Sequence, residues 1–191
     1  NAMLGLTPEL SAEPLLPGFD MPLREAREQF EKAYLEYQKR VKDVDYCTTF
    51  GYLTFHTPFG GMVKGAHRNM MRKIAKAKPA QIEDDFQKRV TPGLTLCQRV
   101  GNIMGATMAL SLASTITYAD LRSPQRIGCF SYGSGCCSEF FSGVVTSEGQ
   151  QRLRRMCIEH QLNQRRELTM KEYDDMLLGN NAVRFGTRNV K

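Results

Sequence analysis

Gly101-Asn102-Ile103-Met104-Gly105-Ala106-Thr107-Met108-Ala109-Leu110-Ser111-Leu112-Ala113-Ser114-Thr115-Ile116-Thr117 is the stretch that decides the architecture. Ile103, Met104, Met108, Leu110, Leu112 and Ile116 are interspersed with Gly105, Ala106, Ala109 and Ala113, so a helix here is apolar nearly all round. Such a helix is expected to be wholly buried, its small residues allowing close backbone approach. The runs on either side are of β type. Residues 50–56 read as a strand, as does the compact run Ile127 to Tyr132. Gly133-Ser134-Gly135 breaks that run and Glu139 to Val145 returns, a hairpin signal though not of the tight two-residue kind. Strands alternating with helices around one buried helix predict an α/β layered domain, and composition takes the argument no further.

The other segments fall into place around it. Asp20 and Pro22 open a helix whose Leu23, Ala26, Phe30, Ala33, Tyr34, Tyr37 and Val41 repeat at three- and four-residue steps. After a turn at Pro58 to Gly61, six Lys or Arg and no acid lie between Lys64 and Lys78. On a helix Lys64, Arg68, Arg72 and Lys76 share one face, while Val63, Ala66, Met70, Ile74 and Ala77 line another. Glu83 to Arg89 reads as helix ending at Pro92-Gly93, and Glu148 to His160 as a polar helix. Thr169 and Glu172 have capping-box spacing before a short helix expected to stop at Gly179, and Ala182 to Phe185 suggests a last strand.

The 191 residues, 41% hydrophobic, are enough for one sizeable core, expected over 20–191. Asn1-Ala2-Met3 reads as an expression scar, and the Pro-, Gly- and Leu-rich stretch after it as linker, so 1–19 stand outside the expected fold. No apolar run is long enough to span a bilayer and no secretory signal opens the chain, so a soluble cytoplasmic protein is expected. The six cysteines fit no zinc or redox spacing, and reduced, mostly buried thiols are expected. The net charge of +6 favours an acidic partner. Nucleic acid is disfavoured because no aromatic interleaving or groove-binding motif accompanies the charge, whereas an acidic carrier protein suits the cationic helix face.

Four segments carry a more specific signal: Tyr52-Leu53-Thr54-Phe55-His56-Thr57-Pro58-Phe59, Arg99 to Gly105, the ten residues Arg126 to Gly135, and Val183 to Thr187. Together they resemble the C-terminal half of hydroxymethylglutaryl-CoA synthases, in particular the hydroxymethylglutaryl-ACP synthases of polyketide β-branching, over roughly positions 20 to 191. The resemblance implies the C-terminal half of a thiolase-like layered fold, a mixed sheet packed on buried helices. It implies an acyltransferase when complete, condensing an acetyl group with a β-ketoacyl thioester in an aldol-type reaction. The expected substrates ride on the phosphopantetheine of an acyl carrier protein, or on CoA, with no other cofactor and no metal. The family's nucleophilic cysteine and acid/base glutamate belong to its first half, so this chain alone is expected to be inactive, partnered by that half and by the carrier protein, and homodimeric when complete.

The family motifs map onto three residues. His56 matches the histidine of Phe-His-x-Pro and would polarise the acceptor's carbonyl oxygen, a role that depends on its tautomer. Asn102 matches the asparagine that contacts the acceptor near its thioester; it is equally suited to cap a helix, and both roles are compatible. Ser134, flanked by glycines that allow close backbone approach, matches a serine that contacts the bound acyl group. Cys136 and Cys137 read as packing residues with no activating base, Glu139 as structural, and His67 and His160 as helix residues in polar surroundings without a role.

One departure stands out. CoA-dependent members carry lysines five and nine residues after the histidine, where this chain has Gly61 and Gly65, leaving Lys64 as the nearest cation in sequence. Lys64, Arg68 and Arg72 are therefore the expected docking surface for a carrier protein. The alternative reading of the chain is a non-catalytic module that binds a carrier protein or a partner synthase.

Overall fold

The computed structural model describes residues 20–122, 124–133 and 137–182, with side chains from 27 to 179. The chain divides into two compact units, Asn1–Met156 and Cys157–Lys191. The expected scar and linker over 1–19 and the expected strand beyond Ala182 lie outside the described residues.

The first unit begins with helix α1, Asp20–Arg40, followed by strand β1, Tyr52–Phe55. Helices α2, Gly60–Lys73, and α3, Pro79–Arg89, come next. A 3-10 turn, Thr91–Leu94, leads into α4, Thr95–Val100, and then α5, Ala106–Tyr118. Strands β2, Gln125–Gly133, and β3, Cys137–Val145, complete a sheet of order β1-β2-β3. β1 pairs parallel to β2 in the register Phe55↔Phe130, and β2 pairs antiparallel to β3 from Gln125↔Val145 to Gly133↔Cys137. The sheet is therefore mixed, as expected. Helix α6, Ser147–Arg155, closes the unit, its first turn capped by the Thr146 hydroxyl accepting from Gly149 N at 3.2 Å.

Side chains alternate across a strand, and here the alternation sorts the core. Leu53, Phe55, Phe130 and Phe140 join Phe30 and Tyr34 of α1, with Tyr46 and Phe50 from the loop before β1, in one aromatic cluster. The Phe30 ring lies 4.7 Å from that of Phe130 and 5.0 Å from that of Phe55, at tilted and edge-on angles that avoid face-to-face repulsion. Gly128 leaves room for this layer, since a Cβ there would stand 2.7 Å from the Phe140 ring and 2.9 Å from Leu53.

The expectation of an all-round buried helix is corrected at α5. Its buried residues are Thr107, Ser111, Ser114 and Thr115, while Met108, Leu110, Leu112 and Ile116 are half-buried and Ala109 is exposed. The physical reason is the sheet edge. Strand amides that point away from β2 need acceptors, and the hydroxyls of α5 supply them: Phe55 N donates to Ser111 Oγ at 3.3 Å and Thr57 N to Thr107 Oγ1 at 3.1 Å. Ser114 Oγ accepts from Leu96 N at 3.1 Å and donates to Pro92 O at 2.6 Å, holding the 3-10 turn and α4 to the same helix.

A second correction concerns His67, which is wholly buried rather than set in polar surroundings. Its Nδ1 is 2.9 Å from Tyr46 Oη, and its Nε2 is 3.5 Å from Asp85 Oδ2, long for a hydrogen bond. The firm partner of Asp85 is Arg89, whose Nε reaches both carboxylate oxygens at 2.7 and 2.8 Å while Nη1 donates to the carbonyls of Tyr46 and Phe50. This network ties α2, α3 and the loop before β1 together.

In the second unit the polar segment breaks at Cys157, whose backbone is left-handed, so α7, Ile158–Asn163, is separate from α6. Helix α8, Met170–Ala182, runs past the expected stop at Gly179. The capping box before it is as read: Thr169 N donates to Glu172 Oε2 at 2.8 Å and Glu172 N to Thr169 Oγ1 at 3.3 Å. Among the described residues no helix is long and apolar enough to cross a membrane.

Two stability predictions follow from the core. Phe30→Ala, which empties the centre of the aromatic cluster, lowers unfolding free energy in urea by about 3–5 kcal/mol. The second concerns Asp85, where burial works against ionisation but the nearby His67 ring, the hydrogen bonds from Arg89 and the Arg89 charge outweigh it, taking the pKa from 3.8 to about 2. Because the folded pKa lies below the unfolded one, this stabilisation is full above pH about 4 and is lost as pH falls toward about 2. Denaturation midpoints measured across that window slope downward in the native chain, and Asp85→Asn flattens the slope.

Candidate functional site

His56 sits one residue past β1, where the strand ends and the chain turns into α2. Its backbone N donates to Phe130 O at 2.7 Å, which extends the strand pairing by one step and fixes the residue against β2. The side chain is half-buried, with Nδ1 2.9 Å from Thr107 Oγ1 at the start of α5 and its ring 6.1 Å from that of Tyr132 on β2. Burial pushes the imidazole pKa down, since the charged form loses more hydration than the neutral one.

Asn102 lies in the loop between α4 and α5, exposed. Gly101, at φ 85°, turns the chain out of α4, and Met104 adopts the same left-handed region at φ 54°. For a methionine that conformation is strained, and the Asn102 side chain holds it: Oδ1 accepts from Met104 N at 2.9 Å. Asn102 thus shapes the loop before α5 rather than capping the helix itself, whose N-cap is Gly105. The amide nitrogen lies 4.0 Å from Met104 Sδ.

A continuous hydrogen-bonded path connects the two residues. Asn102 Oδ1 accepts from Met104 N, Met104 O accepts from Thr107 Oγ1 at 2.8 Å, and that oxygen meets His56 Nδ1. Ser134 lies outside the described residues. β2, which leads toward it, runs beside β1 as far as Phe130 and stays paired to β3 as far as Gly133. Thr107 was missed in the sequence, although a hydroxyl five residues after Asn102 in a helix otherwise rich in small residues was a visible signal.

The cationic residues form a second feature. A groove of about 380 Å³ lies between α2 and α3, lined by Lys64, Arg68, Arg72, Ile82, Glu83 and Phe86 among others. Lys64 is held at 2.8 Å by Glu83 and sits over the Phe86 ring at 5.4 Å, so much of its charge is neutralised in place. Arg68 and Arg72 are exposed. A Cβ on Gly65 would stand 3.0 Å from the Arg27 guanidinium of α1, while one on Gly61 would stand 3.0 Å from the Phe59 ring.

None of the five described cysteines is in a disulfide. Burial raises the Cys97 thiol to about 11 and raises Cys129 and Cys47 as well, which leaves these three without thiolate character at neutral pH. No group of His, Cys, Asp or Glu able to hold a metal ion is present among the described residues.

A family model described as the C-terminal part of hydroxymethylglutaryl-coenzyme A synthase matches residues 69–189, a stretch that includes Asn102 and begins after His56. Over 172 residues the chain is 59% identical to a polyketide biosynthesis 3-hydroxy-3-methylglutaryl-ACP synthase of Bacillus subtilis, covering 90% of this chain and 41% of that protein. It is 31% identical over 150 residues to the hydroxymethylglutaryl-CoA synthase of Enterococcus faecalis, covering 78% of this chain and 38% of that one. Among solved structures it is similar to the HMG synthase of the curacin biosynthetic pathway in complex with apo donor-ACP, with a TM-score of 0.87 and 60% identity over 91% of this chain and 43% of that chain. The chain spans less than half the length of these relatives. Its mixed sheet with flanking helices is the thiolase-like α/β fold of those synthases, and the chain belongs to the hydroxymethylglutaryl-coenzyme A synthase family, corresponding to its C-terminal region.

Proposed function

We propose that the chain is the C-terminal part of a hydroxymethylglutaryl-ACP synthase, which adds an acetyl-derived carbanion to a β-ketoacyl thioester on an acyl carrier protein and so installs a branch. The observation that carries this reading is the hydrogen-bonded path from His56 through Thr107 and Met104 to Asn102, which sets an imidazole and a carboxamide beside one helix start. In an aldol-type condensation the acceptor's carbonyl oxygen gains negative charge, and preorganised donors at that oxygen stabilise it. His56 faces this oxygen and donates to it when Nε2 carries a proton, the Asn102 amide contacts the acceptor near its thioester, and Ser134 contacts the bound acyl group.

The acetyl group is carried on a cysteine, and its proton is removed by a glutamate, from the portion of the family's proteins that this chain does not span. The raised thiols of Cys97 and Cys129 support that division of labour. The outward Met108, Leu110, Leu112 and Ile116 of α5 suit packing against that same portion, and the complete enzyme is a homodimer. A carrier protein is the preferred bearer of the substrate because the carrier-dependent relative is far more similar than the CoA-dependent one, 59% against 31%. Arg68 and Arg72, exposed on one face of α2, are its docking cations, with Lys64 pinned by Glu83 in a supporting position.

In the full-length synthase His56→Ala lowers the condensation rate by about 10²–10⁴-fold, read by mass spectrometry of the acceptor carrier protein, while acetylation of the enzyme persists. Unchanged condensation, or loss of acetylation alone, overturns the assignment of His56. The double charge reversal Arg68→Glu with Arg72→Glu slows carrier association by on the order of tenfold at low salt, with a shallower salt dependence in surface plasmon resonance. Comparable turnover with acetyl-CoA and acetyl-carrier donors counts against the preference for a carrier protein.

A further inference from the structure

The Thr107 side chain is wholly buried, and its hydroxyl has three polar neighbours: Met104 O at 2.8 Å, His56 Nδ1 at 2.9 Å and Thr57 N at 3.1 Å. A hydroxyl owns one proton and two lone pairs, so the three contacts must share them without conflict. Thr57 N–H is a donor and occupies one lone pair. The Met104 carbonyl is only an acceptor, so at 2.8 Å the hydroxyl proton points to it. Were that proton turned toward the imidazole instead, two oxygens would face each other at 2.8 Å with no hydrogen between them. The remaining lone pair faces Nδ1, and an attractive contact there requires a hydrogen on that nitrogen.

We propose that Thr107 is a positioning residue that fixes His56 as its Nδ1–H tautomer, so that the neutral ring presents the lone pair of Nε2 to the site. This inference deepens the reading of His56 given above and rests on it for its catalytic meaning. A neutral His56 then accepts at Nε2, and it donates to a substrate carbonyl only after taking up a proton there. The imidazolium form keeps every contact of the neutral one, because Nδ1 donates to Thr107 in both. The ring therefore gains and loses its Nε2 proton without rotation of the hydroxyl and without breaking the path to Asn102.

The test is the ring-nitrogen signature of His56 in the chain labelled with 15N-histidine, assigned through His56→Gln and recorded well above the imidazole titration. The expected spectrum has a proton-bearing Nδ1 and a pyridine-type Nε2. Thr107→Val removes the hydroxyl and moves the ring toward the Nε2–H form, while Thr107→Ser retains the Nδ1–H signature. An Nε2–H ring or an even mixture in the unsubstituted chain overturns the proposal, as does a Thr107→Val ring that stays Nδ1–H. Should Thr107→Val fail to fold, the tautomer of the unsubstituted chain decides alone. No substrate is needed, so failure here is distinct from failure of the synthase reading, which the condensation assay on His56→Ala decides.

Discussion

The seam between α5 and β1 is the constraint on which the rest of the structure depends. A strand at a sheet edge carries amides that point away from its neighbour, and burying them without acceptors costs about as much as the hydrogen bonds they forgo. α5 answers with Thr107 and Ser111 along β1, and with Ser114 toward the turn before α4. Because these hydroxyls are short, the helix must lie close. The neighbouring backbone complies: a Cβ at Gly93 would stand 2.8 Å from Ser111 Oγ and 2.9 Å from Thr115 Oγ1. The same hydroxyl that satisfies Thr57 N also meets the His56 ring, so closing the edge and placing the imidazole are one event.

Two further supports keep β1 from shifting. The aromatic cluster packs α1 onto β1 and β2 through Phe30, whose ring also lies within 6.0 Å of Tyr46 and Phe140. The Asp85–Arg89 pair, reaching the Tyr46 and Phe50 carbonyls, pins the loop that feeds the strand. A buried pair of this kind is weak evidence for net stability, because desolvation offsets much of the attraction. Its use here is geometric: one guanidinium whose Nε reaches the carboxylate while Nη1 reaches two carbonyls restrains the loop, and with it the register of Tyr52 against Ile127.

Much of this was legible in the sequence. The compact β-type run Ile127 to Tyr132, its glycine break and the returning Glu139 to Val145 marked the hairpin, the stripe of Phe30 and Tyr34 marked the face of α1, and Val63, Ala66 and Met70 marked the buried face of α2. The failures share a cause, which is that they depend on partners distant along the chain. Thr107, Ser111 and Ser114 read as minor interruptions in an apolar helix because sequence does not show which strand amides they face. His67 looked like a solvated residue on a basic helix until Tyr46 and Asp85 closed over it.

Burial is what decides when the His56 ring is charged. Burial alone lowers its pKa, with no charged neighbour among the described residues to offset it, so the resting ring is neutral near pH 7. The contact with Thr107 is neutral and leaves Nε2 as the titrating nitrogen. In the proposed synthase the acceptor oxygen gains negative charge as the carbon–carbon bond forms, and a ring that has taken up a proton at Nε2 donates to that oxygen more strongly than to the neutral carbonyl, a difference that lowers the barrier. The half-buried position of His56 thus governs its charge: full exposure would restore hydration of the imidazolium, and an adjacent carboxylate would favour the charged form.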